Sequence, residues 1–179
     1  MPGLAGVIDL RQRVNAPKLL RRLVKRMTHQ DWYRIDTSTS SGGLAAFSRV
    51  SLGIMNPEPQ PITNRDGTKS ILMDGEIYAP SSLKKELESE GCHFRIGNDP
   101  ELLLTLLEKR GEHYLRNMNG AFSIAIWDER TCTLKLINDR YGLRPLYYAE
   151  HGGRFVFASE VKAILEDDKT NRKIDEVAV

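Results

Sequence analysis

Cysteine is scarce: the 179 residues contain two, Cys92 and Cys132. Neither has a CxxC partner, so neither a thiolate zinc site nor a disulfide framework is suggested, and a reducing cytoplasmic setting fits best. Charge of one sign is lacking as well. Twenty-six Lys and Arg face 24 Asp and Glu, and the formal net charge of +2 is too near zero to argue for nucleic-acid binding. The basic run "KLLRRLVKR" alternates with leucine and valine at helical spacing and reads as a solvated helix face. No apolar run is long enough to span a membrane, and the opening "MPGLAGVIDL" is too short, and lacks the positive flank, for a secretory signal. Internal repeats and low-complexity tracts are missing. The four histidines, His29, His93, His113 and His151, show no metal-ligand spacing and read as surface residues.

What is present describes one globular domain. With 40% hydrophobic and 28% charged residues, the chain is large enough to bury a sizeable core. Gly3 to Asp9 reads as a buried strand set against the terminus. Methionine is usually removed before a residue as small as proline, so the mature chain is expected to begin with the secondary amine of Pro2. Pro17 to Met27 has the apolar spacing of a helix. "GLAAFSRV" and "KSILMDG" read as strands, separated by the proline-rich "NPEPQP" and the turn residues of "NRDG". A second helix is expected from Pro80 to Gly91. A third opens at "NDPELLLTLLEKRG", with Asp99 as N-cap, Pro100 at the first helical position and Gly111 as the stop. "AFSIAIWDERTCTLKLIND" reads as a hairpin, with Cys132 inside one of its strands. "PLYYA" and "RFVFAS" read as two further strands around "HGG". Strands at both ends and helices between them predict an α+β chain with mostly antiparallel pairing.

"SGGLAA", at Ser41 to Ala46, has the glycines of a phosphate-binding loop. Such loops open a helix, whereas these glycines run into a strand-like segment.

Seven short runs carry the specific signal when read in order: "GLAGVID", "SRVSLG", "DGEIY", "NDPE", "NGAFSIAIWD", "DRYGLRPLYY" and "FASEVKAIL". Together they resemble the N-terminal class II glutamine amidotransferase domain of the asparagine synthetase family. The resemblance spans residues 1–179 and implies the N-terminal nucleophile hydrolase fold, a four-layer αββα sandwich of two antiparallel sheets. It also implies that about 166–179 leads as a linker towards a synthetase domain.

In that family the mature chain opens with a cysteine whose thiolate attacks the glutamine side-chain amide. Here the position holds Pro2, which has no thiol, so the thioester route is closed. Cys92, expected in a helix-to-strand connection, and Cys132 cannot replace it. A second departure is Asp74, where the family's "NGE" has an asparagine that donates to the oxyanion. A carboxylate there accepts hydrogen bonds and repels developing negative charge. Gly75, the other oxyanion position, is kept. The resemblance further implies that Arg49 pairs with the α-carboxylate of glutamine and Asp99 with its α-ammonium. It places Val50, Ser51, Leu52, Gly53 and Glu76 along the same pocket. The family's covering loop is reduced here to "HQDWYR". A salt bridge from Asp74 to Arg49 is expected if the two side chains reach each other.

Three functions follow from different classes. The first is an amidotransferase-like domain that no longer hydrolyses glutamine and acts as a scaffold for an ATP-dependent amide-forming domain, in cis or in trans. The β-lactam synthetases, relatives that also lack the opening cysteine, make this an expected kind of loss. The second is a stand-alone module that binds L-glutamine or another amino acid weakly through Arg49 and Asp99. The third is an enzyme using the Pro2 amine. No cofactor is expected in this domain; ATP and magnesium enter only with a synthetase domain. No nucleic acid and no membrane are expected as partners, and a homodimer is left open.

Overall fold

The computed structural model describes residues 2–11, 15–79 and 81–173. Two antiparallel sheets lie face to face between layers of helices. The first contains β1 (Gly3–Asp9), β2 (Arg34–Thr39), β3 (Ala45–Ser51), β8 (Tyr147–His151) and β9 (Arg154–Ala158), in the order β2-β3-β1-β9-β8. The second contains β4 (Ile62–Thr63), β5 (Lys69–Ile77), β6 (Gly120–Asp128) and β7 (Thr133–Asn138), in the order β4-β5-β6-β7.

Alternation along the strands sorts the side chains into layers. Leu4, Ile8 and Phe47 from one sheet meet Leu72, Ala125 and Trp127 from the other, forming the core between the sheets. The opposite face of the first sheet presents Val7, Val50 and Val156 to helix α1 (Ala16–Met27), which buries Leu20, Leu23 and Met27 there. Ile71, Met73, Phe122 and Ile124 cover the outer face of the second sheet beneath Leu103 of helix α3 (Asp99–Arg110). Helix α2 (Ser81–Ser89) adds Leu87, which packs with Cys92, Leu102 and Leu106. A short helix α4 (Val161–Ile164) closes the α1 layer through Ala163 and Ile164. The expected α+β sandwich of four layers is what forms.

The details differ from the sequence reading in several places. Strands β2 and β4 were not foreseen, and Pro80, expected to open α2, lies outside the described residues. The cap of α3 is Asn98, whose side chain accepts from the Glu101 N–H, so Asp99 and Pro100 each sit one position deeper than expected. Cys92 is buried in a helix-to-helix connection, because no strand intervenes between α2 and α3. Cys132 is exposed in the turn before β7, with φ of 50°, and is not a core residue. His151 is no plain surface group: its Nε2 is buried and lies 3.0 Å from the buried Asp167 carboxylate. Within the expected linker, Glu166 pairs with Arg22 and Arg26 of α1, and Asp167 with Arg154, so 166–168 is held against the domain. Residues 174–179 lie outside the described residues.

Candidate functional site

At one end of the layer between the sheets the apolar packing gives way to polar side chains. Arg49 and Ser51 follow Phe47 on the inward face of β3, while Asp74 follows Leu72 on β5 and stands opposite Ser123 of β6. Arg49, Asp74, Ser51 and Ser123 are all buried, and the hydroxyls of both serines lack a hydrogen-bond partner among the described residues. Pro2, half-buried, immediately precedes β1, whose Gly3 is in register with Val50.

Arg49 is only 1% exposed, and its guanidinium is held from several sides. Nε donates to Asp36 Oδ2 at 2.8 Å, and Nη2 lies 2.7 Å from the same oxygen. Nη1 donates to the Asn56 carbonyl at 2.8 Å and Nη2 to the Glu58 carbonyl at 2.9 Å. Asp36 reaches this place because β2 pairs with β3 in a register that sets it directly beside Arg49.

Asn56 ties the cluster together. Its Nδ2 donates to the Gly75 carbonyl at 3.0 Å and to Asp99 Oδ2 at 3.2 Å, while its Oδ1 accepts from the Asp99 N–H at 3.0 Å. Asp99 Oδ2 also accepts from the Ile77 N–H at 3.1 Å. Freed from capping by Asn98, the Asp99 side chain turns to β5 and Asn56 instead. The Asn56 backbone has φ of 45°, a left-handed value that asparagine tolerates better than most residues.

Gly75 has φ of 103°, and a Cβ there would lie 1.9 Å from the Ala121 carbonyl oxygen, so only glycine lets β5 and β6 approach so closely. Asp74 pairs with Arg144, its Oδ2 lying 3.5 Å from Nη1. The expected bridge from Asp74 to Arg49 does not form; Arg49 is taken by Asp36. Burial pushes the Asp74 carboxyl above its ordinary pKa, and the charges of Arg144 and Arg49 pull it back only in part. Arg144 is held by the loop that Asp139 organises. One carboxylate oxygen of Asp139 accepts from the N–H groups of Tyr141 and Leu143 at 3.0 Å each; the other accepts from Arg144 and Phe122.

The remaining pocket residues divide. Val50 points away, into the core beneath α1. Leu52 is exposed, and Gly53 lies close against the Arg34 guanidinium. Glu76 is half-buried in β5. Thus Arg49, Asp74, Gly75 and Asp99 come together, whereas Val50 does not join them. Asn56, Asp36 and Arg144 escaped the sequence reading. The advance signals were an asparagine inside "NPEPQP", a residue type suited to a left-handed turn, and the place of Arg144 within the run "DRYGLRPLYY".

A cavity of about 740 Å³ lies elsewhere. Asp9, Lys18, Arg22, His151, Arg154 and Asp167 are in its lining, and it shares no residue with the Arg49 cluster. Among the described residues no group of three or more His, Cys, Asp or Glu is placed to hold a metal ion, and no helix is long and apolar enough to cross a membrane.

Comparison with known proteins bears on the family and the fold. A family model described as a glutamine amidotransferase domain matches residues 1–179. Asparagine synthetase [glutamine-hydrolyzing] 2 of Bacillus subtilis is 31% identical, over 98% of this chain and 24% of its own length. Asparagine synthetase B of Escherichia coli is 32% identical, over 92% of this chain and 30% of its own. The chain thus spans less than a third of the length of these curated relatives. Among solved structures, the glutamine phosphoribosylpyrophosphate amidotransferase from B. subtilis, complexed with ADP and GMP, superposes with a TM-score of 0.74 at 21% identity. That match covers 90% of this chain and 42% of the other, and it shows the shared fold. With the family model matching residues 1–179, the chain belongs to the glutamine amidotransferase domain family.

Proposed function

We propose that this domain does not hydrolyse glutamine and serves as the structural and interaction half of an ATP-dependent amide-forming protein, the second half being joined in cis or bound in trans. One observation carries the reading. The position before β1, where the family resemblance puts the nucleophilic cysteine, holds Pro2. A pyrrolidine ring supplies no thiolate. Neither cysteine is a substitute: Cys92 is enclosed by Leu87, Leu102 and Leu106, and Cys132 stands exposed at the turn between β6 and β7.

Asp74 supports the same reading, because a buried carboxylate at an oxyanion position opposes the charge that forms there. Loss of a single oxyanion donor costs roughly a hundred- to a thousandfold in rate. The alternative of an amino-acid-sensing module is weakened by the hold of Asp36 on Arg49. No cofactor is assigned to this domain; ATP and magnesium belong to the amide-forming half.

Incubation with L-glutamine and measurement of ammonia tests the proposal. The expected result is no release above a buffer blank. Ammonia release that disappears when Pro2 is altered would overturn it.

A further inference from the structure

We infer that Asp36 and Asn56 act as a built-in stand-in for a ligand, occupying on Arg49 and Asp99 the places that the carboxylate and the amine of a free amino acid would take. The inference rests on reading this cluster as the altered pocket of the proposed function, and it adds what keeps the pocket closed. A guanidinium as buried as that of Arg49 requires a compensating anion. Its Nε and Nη2 form the planar edge suited to a carboxylate. Asp36 Oδ2 lies across that edge, at 2.8 and 2.7 Å. The outer edge is covered by the backbone carbonyls of Asn56 and Glu58. A second carboxylate therefore gains the guanidinium only by displacing Asp36.

Displacement is unfavourable because Asp36 is not a free competitor. Its strand is in register with β3 over six residues, and its carbonyl accepts the Ser48 hydroxyl at 2.7 Å. Such tethering corresponds to an effective concentration of at least the order of millimolar. A dissolved monocarboxylate at lower concentration loses to it.

The acidic side is filled in the same manner. Asp99 Oδ2 accepts an N–H from the Asn56 amide and another from the Ile77 backbone, as an ammonium would otherwise supply. The Asn56 carbonyl also accepts from Arg49 Nη1, so one residue spans both charges. The chemistry displaced is that of a carboxylate bearing an amine, which defines an amino acid. Asp36 has some access to solvent, with a side chain 14% exposed, so its removal would open a path to Arg49.

The test uses the whole chain with ¹⁵N-labelled arginine and follows the Arg49 Nε resonance during titration with L-glutamine and, separately, with acetate. In the native chain the resonance should stay in place up to millimolar ligand. In Asp36→Ala it should move with both, and calorimetry should show glutamine binding at least about tenfold tighter than in the native chain. Adding Arg49→Lys should abolish the gain. Should Asp36→Ala fail to fold, Asp36→Asn keeps the shape, removes the charge and should give a smaller gain of the same sign. Micromolar binding to the native chain, or a folded Asp36 variant that responds to neither ligand, overturns the inference. Ammonia release from the native chain would instead overturn the loss of hydrolysis, so the two claims fail separately.

Discussion

Asn56 holds Asp99 from both ends of its amide, Nδ2 donating to the carboxylate at 3.2 Å and Oδ1 accepting from the backbone N–H at 3.0 Å. A loop between two strands is thereby fixed to the first turn of α3, and the same residue's carbonyl meets Arg49.

Replacing Asn56 should separate its two contributions. Asn56→Gly removes the side-chain bonds yet keeps a left-handed backbone free of strain. Asn56→Ala removes the bonds and adds strain of about 1 kcal/mol or more. Urea denaturation should therefore rank native above Asn56→Gly above Asn56→Ala. A reversed order of the two variants would mean that the backbone conformation contributes nothing.

Asp74 makes a prediction about pH. Burial raises its carboxyl above the ordinary value, so the folded protein holds this proton more tightly than the unfolded chain does. The stability it contributes is full below the unfolded value, about 4, and is lost as pH rises through the folded value. Asp74→Asn should accordingly stabilise the domain at about pH 7 and lose that advantage as pH falls towards 4. Urea midpoints of both proteins across this range measure it; a gain independent of pH would assign the effect to something other than ionisation.

Asp139 has the opposite sign. Burial alone would raise its carboxyl, but N–H groups from Leu143, Tyr141, Arg144 and Phe122 outweigh it and leave the pKa lowered. Its contribution is present above the unfolded value and fades as pH falls through the folded one. Asp139→Ala should cost about 3 kcal/mol, and the amides of Tyr141, Leu143 and Arg144 should lose protection in hydrogen exchange first. Unchanged exchange at those three amides would show that the loop is held by other means.

Restoring hydrolysis should take more than a thiol. Pro2→Cys alone is expected to release little ammonia, and Pro2→Cys with Asp74→Asn more than the sum of the singles, since both act on one intermediate. Adding Asp36→Ala should then lower KM with little change in kcat, because it opens the binding edge of Arg49 and leaves the reacting groups as they were. Mass spectrometry must first establish that methionine is removed from the variant. Equal activity of single and double variants would contradict the assignment of Asp74.

The strongly patterned parts were legible. α1 stood out by the helical spacing of its buried leucines, β1 and β6 as short apolar runs buried along most of their length, and α3 by the cap, proline and glycine signals at its ends. β2 did not, since an edge strand reading "RIDTST" is largely exposed and carries little apolar alternation. That single omission hid Asp36, whose contact with Arg49 exists only through the pairing of β2 with β3. The N-cap moved by one position because Asn98 and Asp99 are both capable caps, and the sequence pattern does not choose between them. Arg49, Asp74, Gly75 and Asp99 were recognisable through their motifs. Which partner each would meet depended on contacts across loops that no local pattern encodes.

The attachment of Asp167 bears on where the domain can be cut. Its carboxylate is 2% exposed and pairs with Arg154 at 2.7 Å and with His151 at 3.0 Å, while Arg154 Nε lies 3.5 Å from Asp9. Truncation after Leu165 would keep the apolar side chains of α4 yet remove the nearer carboxylate of Arg154, leaving the guanidinium to Asp9 of β1. An expression boundary or fusion junction chosen from the end of the last helix would therefore fall too early. The shortest fragment that retains its own electrostatic closure runs through Asp168, whose carboxylate adds a contact to Arg22 on α1.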